Sequence, residues 1–319
     1  MNEIKLINNY FSKLTSQNNN NFALSNDVFD YRKKKIAVTV DTFVEGIHFL
    51  KNSNPKSFLK KIFRASVSDL ICKNAIPKYY FLSLALNKKY AKKKWISKFI
   101  RILNFEQKKY KSFLAGGDTV KSNILTISIT FIGTYKNNII SRSGAKNNHD
   151  IYVTGCLGDS NVGLDILKKK INLKSINHYF VKQYYEPKIQ VGFLNNFDKI
   201  VSSSIDISDG LIKDLSHILK ESKVGAYINI NSIPISINLM KLREKKGIQI
   251  YKYIFGGDDY QIIFTSHRKY RNLLKQLSSR NKIKITRIGH ITNSQKLNLS
   301  YNKKKFKLRS KNIGYIHVF

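Results

Sequence analysis

Residues 204–221 read SIDISDGLIKDLSHILKE and combine a short apolar strand, two aspartates around a short junction, and a helix. The pattern predicts the strand at 204–207 and the helix at 211–221. Asp206 and Asp209 flank the junction on either side of Ser208. A strand that passes through carboxylates directly into a helix is a typical unit of an α/β domain.

The same alternation of strand and helix recurs along the rest of the chain. Further strands are predicted at 36–40, 80–86, 113–115, 124–135, 150–154, 261–265 and 284–291. Further helices are predicted at 1–14, 56–73, 92–103 and 160–169. Loop or surface segments are predicted at 17–21, 135–140 and 296–311. The 319 residues are therefore expected to form two α/β domains, 1–137 and 138–319, with sheets covered by helices.

The charge balance is strongly basic, with 57 Lys and Arg against 20 Asp and Glu and a formal net charge of +37. A dense positive charge attracts phosphate backbones and would suit a nucleic-acid-binding protein. The basic residues are spread along the whole chain in short lysine runs rather than in one arm or one helix face. This spread favours compositional drift towards Lys, Asn and Ile, although the charge would still help to recruit anionic substrates such as nucleotides.

The composition is that of a globular protein outside the membrane. Hydrophobic residues make up 42%, and no run of about 18 apolar residues occurs, so no membrane span is expected. Residues 1–11 lack the apolar core of a signal peptide, and we predict a cytoplasmic protein. Cys72 and Cys156 lie far apart and are expected to be reduced, because they have neither metal-ligand spacing nor the density of a disulfide framework.

Acidic residues are few, and an unusual share of them lies where an apolar run meets a turn. These residues are Asp41, Asp69, Asp118, Asp206, Asp209, Asp258 and Asp259. Mg²⁺ prefers oxygen ligands, and phosphoryl transfer depends on positioned phosphates and neutralised charge, which metals held by several aspartates supply. Glycines before Asp118 and Asp258 would let the backbone approach a phosphate closely.

Each of these elements, taken alone, also has an ordinary structural explanation. Gly-Gly-Asp is a common turn, and Ser208 or Asp209 would serve as the N-cap of the following helix. Asp69 would cap a helix or pair with a lysine, His48 would be a packing residue, and Arg142 would be a solvated loop residue. The order of the elements along the chain is therefore more informative than any one of them.

Taken in order, eight segments resemble the motifs of thiamine-monophosphate kinases. They are 40–49 (VDTFVEGIHF), 68–70 (SDL), 116–119 (GGDT), 141–145 (SRSGA), 153–160 (VTGCLGDS), 205–211 (IDISDGL), 256–260 (GGDDY) and 314–319 (GYIHVF). The resemblance covers nearly the whole chain. It implies an α/β (α+β) protein with the two-domain fold of the aminoimidazole ribonucleotide synthetase superfamily, each domain a mixed sheet covered by helices. It also implies a homodimer formed through the N-terminal sheets.

For function, the resemblance implies Mg²⁺- and ATP-dependent phosphorylation of thiamine monophosphate to thiamine diphosphate, with ATP held between the domains. It implies neither a specific nucleic acid nor a membrane as a partner. Carried over by position, the metal ligands would be Asp27, Thr39, Val40, Asp41, Asp69, Asp118, Asp206 and Asp209. The catalytic residues among them would be Asp41, Asp69, Asp118 and Asp209. ATP would contact Gly117, Asp118, Arg142 and Ser208, and the thiamine phosphate would contact His48, Asp258 and Tyr315.

The chain departs from the family pattern at several positions. Residues 23–27 read ALSND where the family has Gly-x-Gly-Asp-Asp, so that Asp27 is left as the expected ligand. Val40 lacks the hydroxyl usual at its position, and Asp258 is shorter than the usual Glu. Three alternatives stay open: another phosphoryl-transfer enzyme of the superfamily, an inactive relative and, from a different class, a basic nucleic-acid-binding protein.

Overall fold

The structure, a computed structural model, describes residues 3–15, 24–246, 249–308 and 314–315. The first half of the chain forms a five-stranded sheet in the order β1-β2-β5-β3-β4. Its strands are β1 Phe29–Tyr31, β2 Ile36–Val44, β3 Ile76–Leu86, β4 Phe113–Lys121 and β5 Thr126–Thr134. Neighbouring strands are antiparallel except β3 and β4, which are parallel. The sheet is therefore mixed, as predicted.

The second half forms a seven-stranded sheet in the order β12-β11-β8-β10-β6-β9-β7. Its strands are β6 His149–Thr154, β7 Val201–Asp206, β8 Gly225–Asn229, β9 Ile262–His267, β10 Ile285–Thr292, β11 Leu297–Tyr301 and β12 Lys304–Phe306. This sheet is also mixed, because β8 and β11 are parallel and its other paired strands are antiparallel.

Helices pack on both sheets. Within the described residues they are α1 Glu3–Asn9, α2 Pro55–Cys72, α3 Lys93–Tyr110, α4 Asp159–Leu167, α5 Asn177–Tyr185, α6 Leu211–Ser222, α7 Ile237–Lys246, α8 Tyr251–Ile254 and α9 Arg271–Arg280. α2 begins where the Asn54 side chain accepts the Lys56 backbone N–H and where Pro55 needs no hydrogen-bond acceptor. No described helix has both the length and the apolar composition needed to cross a membrane.

α2 is the central element of the molecule. It contacts β2, β3 and β5 of the first sheet and β7 of the second, and 14 of its 18 residues are buried. The apolar core of the first sheet therefore continues past α2 to Phe193 and Phe264 in the second half. A helix covered on so many sides also buries polar residues, such as Arg64, which pairs with Glu106 at 2.8 Å.

Two predicted strands are longer than the sequence suggested, and this changes where the acidic residues lie. The strand predicted at 36–40 continues to Val44, so Asp41 lies within β2 rather than at its end. The predicted turn at 116–119 is wrong, because β4 runs through it and pairs with β3 as far as Lys121. Gly117 makes this pairing possible, since a Cβ there would lie 1.9 Å from the Leu82 carbonyl oxygen.

Other predictions were confirmed or corrected in part. The segment 296–311, predicted as plain surface, contributes β11 and β12, and Leu299 of β11 is buried. The helix predicted at 1–14 is divided into α1 and a 3₁₀ turn at Phe11–Thr15. The loop predicted at 17–21 lies outside the described residues. Cys72 and Cys156 are both free thiols, as predicted.

We expect Gly117→Ala to destabilise the fold by about 1–3 kcal/mol, because the new methyl group would push β4 away from the backbone of β3. Urea unfolding would measure the loss. Gly116→Ala is the matched control, since its Cβ would meet only the Phe81 ring at 3.1 Å, and that side chain can move. Equal free energies of unfolding for the two variants would contradict the close approach at Gly117.

Candidate active site

One cleft of about 350 Å³ receives residues from both halves of the chain. It is lined by β2 and the loop that follows it, by α2 and α4, and by the junction between β7 and α6. Most of the predicted site residues line it, namely Asp41, His48, Asp69, Asp206, Ser208, Asp209, Asp258 and Tyr315. The structure thus brings together residues that lie up to 274 positions apart in the sequence.

A cluster of carboxylates lines the cleft. Asp41 comes from β2, Asp69 from α2 and Asp206 from the end of β7. The Thr39 hydroxyl donates a hydrogen bond of 2.6 Å to Asp69, and the Ser68 hydroxyl donates to Asp206. These bonds join α2 to the first sheet on one side and to the second sheet on the other.

The three carboxylates disfavour one another's charge. Burial, followed by the charges of Asp41 and Asp206, raises the pKa of Asp69 well above its usual range. Burial and the nearby Asp27 raise the pKa of Asp206 to about 7, against the opposing effect of its Ser68 hydrogen bond. Burial likewise raises the pKa of Asp41. A divalent cation would relieve this repulsion, and an all-oxygen set of carboxylates and a hydroxyl is the kind that Mg²⁺ prefers.

Asp27 lies beside this cluster but is already paired with cations. One carboxylate oxygen of Asp27, the Sγ of Cys72 and one carboxylate oxygen of Asp206 all lie within 4.8 Å of one another. Lys73 Nζ lies 2.7 Å from Asp27 Oδ2, and Arg142 donates to Oδ1. Burial alone would raise the pKa of Asp27, but Arg142 and Lys73 together hold it well below its usual range. Arg142, predicted to contact ATP, is therefore bound to Asp27.

The cleft also contains His48, Asp258 and a lysine that sequence reasoning missed. Lys61 Nζ lies 2.8 Å from Asp258 Oδ1, 3.3 Å from the His48 carbonyl oxygen and 3.8 Å from the centre of the Tyr184 ring. Burial disfavours its charge, but Asp258 and Tyr184 outweigh that effect and raise the pKa of Lys61. A lysine followed by Ile62 and Phe63 on an apolar helix was the sequence signal for this buried cation.

A second lysine pair holds the junction between β7 and α6. Lys213 Nζ lies 2.7 Å from Asp209 Oδ2 and donates a bond of 2.6 Å to the Tyr315 carbonyl oxygen. Tyr315 is held further by its N–H, which donates to the Asp209 carbonyl oxygen at 3.1 Å. The predicted N-cap role of Ser208 or Asp209 is wrong. Gly210 occupies that position, and the Asp214 carboxylate accepts the N–H groups of Asp209 and Gly210.

Besides Asp27, Thr39 and Arg142, which bond to or lie beside the carboxylate cluster, three predicted residues do not line the cleft. Asp118 is exposed on β4, three strands from β2, which corresponds to about 14 Å along the sheet. Gly117 precedes it on the same strand. Val40 is 63% exposed and lies on the face of the sheet opposite to Asp41. Val40 lies on the opposite face from Asp41 because side chains alternate along a strand. Gly117 and Asp118 lie away from the cleft because β4 is at the edge of the sheet.

Comparison with known proteins agrees with this architecture. Residues 25–135 match the model of the AIR synthase related protein, N-terminal domain, and residues 164–302 match that of the C-terminal domain. The chain is thus an AIR synthase related protein with both domains. It is 40% identical over 276 residues to thiamine-monophosphate kinase of Buchnera aphidicola subsp. Schizaphis graminum, covering 85% of this chain and 84% of the relative.

Two further relatives agree. Thiamine-monophosphate kinase of Haemophilus influenzae is 34% identical, covering 81% of this chain and 78% of the relative. The solved structure of AaThiL complexed with AMPPCP and TMP superposes with a TM-score of 0.85 at 26% identity, over 99% of this chain and 97% of that chain. The chain belongs to the thiamine-monophosphate kinase family.

We expect Asp206→Asn to stabilise the metal-free protein at pH 8 and to lose that advantage as the pH falls. The folded pKa of Asp206 is raised from 3.8 to about 7, so its ionisation opposes folding fully above pH 7 and not at all below 3.8. Unfolding by urea in the presence of EDTA, between about pH 4 and pH 8, would measure the difference. A difference between wild type and variant that does not change with pH would contradict the electrostatic argument.

Proposed function

We propose that this chain transfers the γ-phosphoryl group of ATP to the phosphate of thiamine monophosphate, giving thiamine diphosphate and ADP. The observation that carries the proposal is the convergence of Asp41, Asp69 and Asp206 in a cleft that also holds His48 and Asp258. The family and the relative bound to AMPPCP and TMP support it.

The carboxylate cluster is the proposed metal end of the site. Asp41, Asp69 and Asp206 would hold Mg²⁺, with Thr39 orienting Asp69 through its hydrogen bond. Bound Mg²⁺ would supply charge neutralisation for the phosphates of ATP. Asp209 also lines the cleft and is a further proposed ligand.

Two of the four proposed nucleotide contacts, Ser208 and Arg142, lie close to this metal end. Ser208 lines the cleft beside Asp209, and Arg142 offers a planar fork suited to phosphate. Because Arg142 is paired with Asp27, it would have to share its N–H groups between Asp27 and the nucleotide. The other two proposed contacts, Gly117 and Asp118, lie on β4.

The rest of the cleft lining matches the charges of thiamine monophosphate, a substrate with a cationic ring and an anionic phosphate. Asp258 and the Tyr315 ring would face the cation, and the Lys61 ammonium would face the phosphate. His48 lies edge-on to Phe43 and is held by the Val44 N–H, which donates to Nδ1 at 3.0 Å. The attacking group is itself a phosphate, so the reaction needs positioning and charge stabilisation rather than a general base.

Purified full-length protein given thiamine monophosphate and MgATP should form thiamine diphosphate, separated by chromatography and measured by fluorescence after oxidation. Asp69→Asn should lower turnover by orders of magnitude, because it removes a central charge from the metal end. Thiamine and a nucleoside monophosphate serve as control acceptors. ATP consumption without thiamine diphosphate would point to another phosphoryl-transfer enzyme, and no ATP consumption would reject the kinase assignment.

A homodimer through the first sheet would explain Asp118. One face of this sheet is covered by α2, and the other exposes large side chains, namely Phe29, Tyr31, Val40, Tyr79, Phe81 and Val120. A sheet face that exposes six large apolar side chains is typical of an interaction surface. Asp118 lies on the same face. It is the cross-strand partner of Ser83 on β3, and the same row of partners continues through Ser128 on β5 to Thr42 on β2.

Thr42 links that face to the cleft. Thr42 lines the cleft, and its side chain lies on the sheet face that α2 does not cover. It follows the part of β2 that is paired with β1. A second copy packed on this face would lie directly beside the cleft. We therefore place Asp118 of one copy at the metal end of its partner's site.

Mixing two inactive variants would test this arrangement. Asp69→Asn and Asp118→Asn homodimers should each be nearly inactive, but exchange of subunits should restore up to about a quarter of wild-type activity, because each mixed dimer has one intact site. Asp69→Asn mixed with Asp41→Asn is the matched control and should restore nothing, since both residues line one cleft. No recovery in the first mixture would place Asp118 in its own subunit's site or outside the chemistry.

We also place the boundary between the two domains after residue 137. β5 ends at Thr134 and β6 begins at His149, so the boundary falls in the connection between the two sheets. A cytoplasmic location stays a prediction.

A further inference from the structure

Lys73 is a fully buried ammonium group beside the carboxylate cluster. It follows Cys72 at the C-terminal end of α2, four residues after Asp69, and its side chain is 0% exposed. Its Nζ lies 2.7 Å from Asp27 Oδ2 and donates to the Ser204 carbonyl oxygen. Ser204 lies two residues before Asp206 on β7, so the ammonium lies between the two sheets.

The pairing of Asp27 leaves it little free charge for a metal ion. Lys73 takes one carboxylate oxygen and Arg142 takes the other. The Asp27 side chain is 5% exposed, so water cannot compete for these contacts as it does at a surface. A divalent ion bound to Asp27 would have to lie close to two fixed positive charges, which is unfavourable at low dielectric.

The charges of the cluster point to a single divalent ion. When ionised, Asp27, Asp41, Asp69 and Asp206 carry four negative charges, and these carboxylates are close enough to affect one another's pKa. The cations Lys73 and Arg142 offset two of those charges. One divalent ion balances the remainder.

We propose that the Lys73 ammonium takes the place of a divalent cation at the Asp27 end of the cluster. Divalent metal binding in the nucleotide-free protein is then confined to one ion among Asp41, Asp69 and Asp206. A compact point charge with three donors is suited to this substitution. The inference rests on the proposed function only in that a divalent ion binds the neighbouring carboxylates.

The test is a count of Mn²⁺ ions bound by nucleotide-free, full-length protein, measured by electron paramagnetic resonance of free Mn²⁺. Wild type should bind one ion that is lost in Asp69→Asn. Lys73→Met should bind one ion more than wild type, because it frees the Asp27 carboxylate. Lys73→Met combined with Asp27→Asn should return to the wild-type count, and Lys78→Met, at an exposed lysine of β3, is the control that should change nothing.

Several outcomes would overturn the proposal. An unchanged Mn²⁺ count in folded Lys73→Met would make Lys73 a structural partner of Asp27 only. If that variant fails to fold, the wild-type count decides, and two ions lost together in Asp69→Asn would contradict the inference. The assay for thiamine diphosphate on the same preparation separates the two proposals. Product formed with an unchanged count rejects the role of Lys73 alone, whereas one bound ion without product rejects the kinase function alone.

Discussion

Carboxylates that repel one another across a shared site are the constraint around which this molecule is built. The three carboxylates are Asp41 of the first sheet, Asp69 of α2 and Asp206 of the second sheet. The negative charge of each one is destabilised by the charges of its neighbours. Their proximity has to be imposed by the packing of the elements that carry them. Apolar burial, which is large and non-directional, supplies that force. The acidic site is thus evidence that the two halves of the chain are held together by their core.

α2 is the element through which the two halves of the chain pack against each other. It is covered by both sheets, so a polar residue on almost any of its faces becomes buried and needs a partner. Arg64 pairs with Glu106, Lys61 with Asp258, and Lys73 with Asp27. Each pair joins α2 to a different part of the chain. Buried pairs of this kind add little net stability, because desolvation offsets their attraction, but breaking one leaves an uncompensated charge. These pairs therefore determine the position of α2 more than they contribute to the stability of the fold.

The sequence was informative where a single residue type in an ordered pattern determines the chemistry. Junction aspartates and neighbouring glycines indicated the cleft, and the order of the motifs indicated the family. Local pattern failed where strand pairing decided the outcome. The extension of β4 through Gly117 depends on the backbone of β3, and no feature of residues 116–119 alone distinguishes that strand from a turn. β11 and β12 were missed for a similar reason, since a polar edge of a sheet resembles a loop in composition.

The lysine-rich composition has a different meaning inside the molecule than on its surface. Spread over exposed positions, the positive charge gave no sequence reason to expect lysines at the site. Yet Lys61, Lys73 and Lys213 each hold a carboxylate that the sequence placed at the site, at 2.7 to 2.8 Å. A carboxylate fixed by an internal ammonium is less available to a metal ion, because the two cations compete for the same charge. The lysines inside the molecule therefore alter the electrostatics of the cleft, because each one offsets the charge of an acidic residue at the site.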